Sequence, residues 1–274
     1  MGIKRGKDIG VLSGAANLRP AFGKALSWSW RCVSPVVDPI QTAIGLKHYR
    51  HYVADWRKYA QLPGAEIMKL SNAFPQLHDR TTKHSIDAHY FYTNAWAMRR
   101  IVANKPIEHV DVGSHISVAS LLSAFVPVTF VDYRPLEACL PGLTCIGGDI
   151  LSMPFMDGSI GSLSCLHVAE HIGLGRYGDP LDPKGSEKAA QEMARVLAPG
   201  GDLFFVVPVG KPRLCFNAHR IHSPETIRDY FAELELVEFS GVDDNGRFVE
   251  HASLTTFKRS IYACGMFWFH KSVC

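Results

Sequence analysis

The chain has 274 residues, 47% hydrophobic and 20% charged, a balance that supports a packed core and excludes large-scale disorder. A formal net charge of +3 is too small to signal the concentrated basic face of a nucleic-acid binder, so partners are expected to be small or locally recognised. Seven cysteines without a C-x-x-C pair argue against a disulfide framework or a thiolate zinc site, and for reduced thiols in a cytoplasmic setting.

The first residues lack the apolar stretch and small-residue cleavage site of a signal peptide, and no uncharged apolar run approaches the ~18 residues of a membrane span. Residues 19–46 interleave Phe22, Trp28, Trp30, Pro35 and Pro39 with Lys24 and Arg31. This segment reads as an N-terminal helical arm, with peripheral membrane contact through an aromatic, basic face as the alternative. Tyr49 to Tyr59 reads as a helix whose Tyr52, Trp56 and Tyr59 share one face, as a core stripe would. From Ala73 to Tyr92, ionisable residues sit between aromatics, notably in Asp87-Ala88-His89-Tyr90-Phe91-Tyr92, a texture suited to a lid. The texture changes near residue 105, which divides a helical, aromatic extension (1–105) from a second domain (106–274).

In that second domain apolar strands alternate with helices. Strands are expected at Val110 to Val112, Val128 to Val131, Thr144 to Ile146, Ser162 to Leu166, Leu203 to Val207, Glu235 to Phe239 and Ser260 to Phe269. Helices are expected at Ile116 to Phe125, Lys184 to Leu197 and Pro224 to Phe231. The order predicts an α/β fold, a Rossmann-like sheet of seven strands, mostly parallel with an antiparallel last strand and helices on both faces.

The first strand breaks into a turn at Asp111-Val112-Gly113-Ser114-His115. A dinucleotide fingerprint wants glycine where His115 and Ser117 stand, which disfavours a pyrophosphate ligand and with it a nicotinamide-dependent oxidoreductase. Asp132 follows the second strand and Asp149 the third, so three carboxylates end successive parallel strands and can line one crevice. Further on, Ala194-Arg195-Val196-Leu197-Ala198-Pro199-Gly200-Gly201-Asp202-Leu203 reads as a helix end, a reversal and an apolar strand. That stretch resembles the proline-glycine-glycine turn and fifth strand of class I S-adenosylmethionine-dependent methyltransferases, and the resemblance spans roughly residues 107–270. It implies S-adenosylmethionine as cofactor. Asp111, Gly113 and Ser114 would form the first cofactor loop, Asp132 the ribose contact with Tyr133 beside it also binding the cofactor, and Asp149 with Ile150 the adenine contact. His167 would lie near the cofactor. A narrower resemblance, carried by Leu166 to Pro183, Phe216 to His222 and Asp87 to Phe91, is to a bacterial and nematode family of uncharacterised proteins, and it brings no substrate.

Methyl transfer to a hydroxyl requires a base, and a histidine near neutral pKa suits that role. His171, just past the fourth strand with Glu170 beside it, is the candidate; the bland alternative is that the pair caps or holds the following loop. Glu170, His171, His219 and His222 could instead ligate a divalent metal, but their separation has no diagnostic spacing and no metal is expected. The Gly173-Leu174-Gly175-Arg176-Tyr177-Gly178 loop lacks the ending of a phosphate loop and reads as substrate-side, with Arg176, Lys211 and Arg213 as contacts for an anionic acceptor or simply as surface charge. The expected acceptor is a small molecule, with a saccharide hydroxyl as first choice. The rival reading is a catalytically inactive methyltransferase-fold scaffold, with His115 and Ser117 marking a decayed cofactor turn.

Overall fold

The computed structural model describes residues 38–273 except 83 and 85. Most of the aromatic and basic segment expected at 19–46 therefore lies outside the described residues. The chain divides between Asp87 and Ala88 into two compact units.

In the first unit, helix α1 (Pro39–Tyr59) precedes a single 3₁₀ turn at Leu70–Asn72. Tyr52 and Trp56 pack ring against ring at 5.9 Å and are half-buried, but Tyr49 and Tyr59 are exposed. The expected core stripe is thus a partly covered surface stripe. Arg50, His51, Asp55, Arg57 and Lys58 crowd it on both sides, leaving it too narrow for a core face.

The second unit opens with helix α2 (Ala88–Asn104), on the far side of the boundary expected at residue 105. Trp96, Ala97 and Ile101 of α2 are buried, packed with residues of the sheet. The other helices are α3 (Ile116–Leu122), α4 (Gly185–Val196) and α5 (Pro224–Tyr230). Each shows a local cause. Ala189, Ala190, Met193 and Ala194 form the buried face of α4 at helical spacing. Ser223 caps α5, its hydroxyl accepting from Thr226 N at 3.1 Å with Pro224 in the first turn.

The strands are β1 (His109–Val112), β2 (Val128–Asp132), β3 (Leu143–Gly147), β4 (Ile160–Leu166), β5 (Leu197–Val209), β6 (Arg213–Cys215), β7 (His219–Ile221), β8 (Glu235–Val242), β9 (Phe248–Val249) and β10 (Ala263–His270). The main sheet has eight strands rather than seven, in the order β3-β2-β1-β4-β5-β10-β8-β9. The seven expected strands are all present. The eighth, β9, is a two-residue return paired with β8 after the Asp243 to Gly246 turn, too short to carry a periodic signal. β1 pairs in parallel with both β2 and β4, while β10 runs antiparallel between β5 and β8. β6 and β7 form a separate hairpin.

One turn differs from its sequence reading. Pro199-Gly200-Gly201 is not a reversal between elements but a bulge inside β5, which starts directly after α4. Ile160 pairs with Leu197 and Ser162 with Asp202, so five steps along β5 face two along β4. A Cβ on Gly201 would lie 2.8 Å from Ala198 O and 3.0 Å from Ile160 O, so the bulge closes only around glycine.

Candidate functional site

The sheet order reverses between β1 and β4, and the crevice of an open parallel sheet lies beyond the carboxyl ends of the strands at that point. A cavity of about 140 Å³ sits there. Its walls come from the turns after β1 (Gly113), β2 (Asp132 to Arg134), β3 (Gly148 to Leu151) and β4 (His167, Val168, His171), with Tyr177 and Asp179 from the loop beyond.

Gly113, at φ +63, makes the turn after β1, and a Cβ there would meet Val168 Cγ1 at 3.2 Å and Asp132 Oδ2 at 3.8 Å. The backbone is thus held open toward the Asp132 carboxylate. Asp132 Oδ1 accepts from Arg134 N at 2.8 Å, whereas its Oδ2 has no hydrogen-bond partner among the described residues. Asp149 likewise accepts from Leu151 N at 2.8 Å, beside the buried Ile150. Tyr133 is exposed at the rim.

Asp111, Ser114 and Glu170 do not line the cavity; they stand behind it. Asp111 is fully buried, accepting from the Ser164 hydroxyl and from Ser114 N, and burial pushes its pKa up to about 6. Ser164 in turn lies 2.9 Å from Nε2 of the buried His109, whose Nδ1 lies 2.8 Å from Ser162 Oγ. Burial lowers the His109 pKa to about 3, so the ring is neutral and carries one proton. With Asp111 ionised, the chain has one consistent direction: Ser162 donates to His109, His109 to Ser164, and Ser164 to Asp111. Ser114 Oγ accepts from Leu166 N at 3.1 Å, tying the β1 turn to β4. His115, one of the two departures from glycine, caps α3 by accepting from Ser117 N at 3.3 Å.

The segment after β4 carries the ionisable cluster. His167 sits at φ +60, a conformation rare for a residue with a Cβ, and so turns its ring back toward the cavity. Its Nδ1 lies 3.4 Å from Glu170 Oε1 and its Nε2 lies 3.6 Å from Cys264 Sγ. Burial opposes a charge on His167, but the Cys264 sulfur and the Glu170 carboxylate outweigh it and hold the pKa above the ordinary histidine value. His171 differs. Burial lowers its pKa, with Arg176 adding to the effect against the pull of Glu170, so the ring is neutral near pH 7. Its Nδ1 lies 2.5 Å from Ala218 O, which fixes the proton on Nδ1 and leaves the lone pair on Nε2, 3.7 Å from Glu170 Oε1. Glu170 Oε2 is buried without a hydrogen-bond partner among the described residues.

Two alternatives left open by the sequence bear on this cluster. No group of three or more histidine, cysteine, aspartate or glutamate side chains is placed to hold a metal ion among the described residues. Burial drives His219 and His222 down to about 4, with the Glu170 carboxylate acting only in part against it. Lys211 and Arg213 are exposed on the β6 side of the hairpin; only Arg176 of the three expected anion contacts reaches His171.

Residues 111–205 match the sequence profile of a methyltransferase domain. That stretch, from β1 into β5, is similar to a methyltransferase domain. A profile for a Caenorhabditis protein of unknown function (DUF268) matches residues 159–260, which include the β4 segment, α4 and the β6–β7 hairpin. No curated protein sequence matches the chain. Solved structures with a similar fold include the N-methyltransferase NodS from Bradyrhizobium japonicum WM9 with S-adenosyl-L-homocysteine, at 16% identity and TM-score 0.48 over 66% of this chain and 86% of its own. They also include YcgJ from Bacillus subtilis, at 13% identity and TM-score 0.46 over 66% of this chain and 100% of its own.

The Gly173 to Gly178 loop, read from the sequence as substrate-side, does reach the cavity through Tyr177, but Val168 and Asp179, which complete that wall, were not picked out. Asp179 organises that loop: its carboxylate accepts from Gly173 N at 2.7 Å, Tyr177 N at 3.1 Å and Gly175 N at 3.3 Å. The glycines at 173, 175 and 178 were its one visible signal. The segment read from the sequence as a lid begins a helix that was not expected, α2, whose Tyr90 ring packs 5.0 Å from His167 and whose His89 stacks on Tyr262 at 5.1 Å. Tyr262 continues to His219 at 5.0 Å, and His219 to His171 at 6.5 Å, an aromatic face contiguous with the cavity wall.

Proposed function

We propose that the chain is an S-adenosylmethionine-dependent methyltransferase acting on a small hydroxyl compound, with a saccharide as the first candidate. The observation that carries this reading is Asp132: a carboxylate with one unpartnered oxygen at the wall of a crevice, facing a glycine turn that leaves room for a ligand. The residues fit the cofactor. Asp132 offers an acceptor for a ribose diol, Ile150 an apolar contact and Asp149 an acceptor for an adenine amino group. Gly113 offers close backbone approach without the anion cradle that a pyrophosphate needs.

When bound, S-adenosylmethionine supplies an electrophilic methyl group, and the protein's task is to align the acceptor and remove its proton. His171 is built for the second part. Its Nδ1–H is anchored on Ala218 O, and its Nε2 lone pair takes the proton of the acceptor hydroxyl. Glu170, 3.7 Å from Nε2, makes no hydrogen bond to the neutral ring, and its charge stabilises the imidazolium that forms. The faces of Tyr90, Tyr177 and Tyr262 suit the C–H faces of a sugar ring. His115 caps α3 through its side chain, a structural reason for it to replace glycine, which weighs against the inactive scaffold.

Calorimetry with S-adenosylmethionine and S-adenosylhomocysteine tests the reading. Binding of both is expected; a folded protein that binds neither is the scaffold instead. A panel of neutral and charged saccharides, assayed for methyl transfer, then tests the acceptor.

A further inference from the structure

Arg176 lies half-buried against His171, with Nη1 3.1 Å from Nδ1 and 3.4 Å from Nε2 of the ring and 3.1 Å from Ala218 O. Ala218 O is already the acceptor for His171, so the guanidinium shares it. No carboxylate lies within ion-pair distance of Arg176 among the described residues. Of the nearby acids, Glu170 Oε1 faces His167 and His171, Asp179 is held by the backbone of its own loop, and Asp132 accepts from Arg134 N through Oδ1 while its Oδ2 faces Gly113. The other charges near this face have the same sign as Arg176. Arg134 lies 5.0 Å from the Tyr177 ring and Arg176 5.2 Å from it, and Arg213 stands on the adjoining hairpin. A guanidinium offers five donors in a fork matched to an oxyanion, and here its hydrogen-bond partners among the described residues are one carbonyl and one imidazole edge, with the Tyr177 ring beneath it.

We propose that Arg176 is a specificity residue that reads a carboxylate or phosphate on the acceptor, next to the hydroxyl that His171 deprotonates. The inference rests on the methyl-transfer reading and narrows its substrate class to hydroxyl compounds with a neighbouring oxyanion, such as a sugar acid or sugar phosphate. The bidentate pairing would draw the acceptor to the ring edge that Arg176 already touches, and would give the guanidinium the oxyanion partner it lacks.

The test uses the full chain saturated with S-adenosylhomocysteine, titrated with inorganic phosphate and, separately, with D-glucuronate and D-glucose, while histidine C2–H resonances are followed by NMR. Saturable phosphate binding that moves the His171 and His219 titrations upward is expected, weakened about tenfold or more in Arg176→Gln, as for the loss of a charged hydrogen bond. Arg176→Lys, which keeps the charge and loses the fork, is expected to retain part of the response and guards against a folding defect. Glucuronate should bind in preference to glucose, and the preference should vanish in Arg176→Gln. An unsaturable phosphate response, an equal response in Arg176→Gln, or equal binding of the two sugars overturns the proposal. Arg176-dependent phosphate binding in a protein that fails to bind S-adenosylhomocysteine at all would overturn the methyl-transfer reading while leaving the anion site standing.

Discussion

Asp111, Asp132 and Asp149 end three successive strands, and in the sequence they look alike; burial separates them. Asp132 and Asp149 keep an oxygen for a ligand, whereas Asp111 spends one oxygen on Ser114 N in the turn and the other on the Ser164 hydroxyl of β4. Asp132→Ala is expected to weaken S-adenosylhomocysteine binding by roughly 10- to 100-fold, the loss of one or two charged hydrogen bonds, as read by calorimetry with thermal stability nearly unchanged. Gly113→Ala is expected to weaken it too, because φ +63 costs a residue with a Cβ about 1 kcal/mol and the new methyl lies 3.2 Å from Val168. Undiminished affinity in either variant would remove the crevice as the cofactor site. The same burial predicts a pH effect. The His109 pKa is about 3 in the fold against an ordinary 6.5, so its contribution is complete above pH 6.5 and is lost as pH falls toward 3. Asp111, raised to about 6, works in the opposite sense, stabilising in acid and losing that contribution as pH rises through 6. The His109 part is isolated by His109→Gln, which keeps a donor and an acceptor but cannot charge. Between pH 7.5 and pH 5 the unaltered chain should lose about 2 kcal/mol more than the variant in urea titrations, and equal losses would mean that His109 is not held neutral. None of this was legible in His-Val-Asp-Val, because a four-residue strand reads the same whether its polar side chains face solvent or, as here, bond to Ser162 and Ser164 fifty residues away.

At the scale of elements, the segment after β4 and the β6–β7 hairpin work as one piece. Ala218 O accepts from His171, Asn217 Nδ2 donates to Leu174 O at 3.4 Å, and Arg220 reaches Ile172 O and Asp182 O. The hairpin thereby sets the tautomer of His171. His171→Ala is expected to cut turnover on the true acceptor by 10²- to 10⁴-fold, the usual worth of a positioned base, with S-adenosylhomocysteine affinity unchanged. Because burial and Arg176 lower the His171 pKa, the acid limb of kcat/KM should lie below the 6.5 of an ordinary imidazole. A limb at or above 6.5, or one unchanged in His171→Ala, would assign the proton to another group. Sequence patterning recovered the strands that bury both faces, since continuous apolar runs such as Leu203 to Val207 are diagnostic of a central parallel strand. It did not recover β6, β7 and β9, whose two or three residues carry no period, and so it could not see that His171 and Ala218 meet. It also took Pro199-Gly200-Gly201 for a turn, because proline and glycine announce a break in regular structure without saying whether the chain reverses or bulges.

For the whole molecule, the boundary of the folding unit matters more than any single contact. The change of texture near residue 105 marks where strands begin, but α2 before it closes one face of the sheet. Trp96 and Ile101 are fully buried against β2, β4, β5 and β10 side chains, and Trp96 Nε1 donates at 2.8 Å to Glu238, which also takes two bonds from Arg100. Removing a buried tryptophan or isoleucine side chain costs about 2–5 kcal/mol each, and the stranded Glu238 carboxylate adds a penalty of similar size, together comparable to the ~5–15 kcal/mol that holds an ordinary domain. A chain beginning at residue 88 is therefore expected to fold cooperatively and to bind S-adenosylhomocysteine, whereas one beginning at residue 106 is expected to lack a cooperative thermal transition. If the shorter chain melts cooperatively within a few degrees of the longer one, α2 is an attachment rather than part of the core. Arg100→Ala in the full chain provides the graded version, with a loss of about 3 kcal/mol in urea titrations because it leaves Glu238 buried with only Trp96 and Ser240 as partners. The residue 88 chain also isolates the role of the first unit. If that chain binds S-adenosylhomocysteine with full affinity yet turns over the acceptor poorly, residues 1–87 serve the acceptor step, as the aromatic and ionisable texture from Ala73 onward led us to expect of a lid; full turnover would free them for another task.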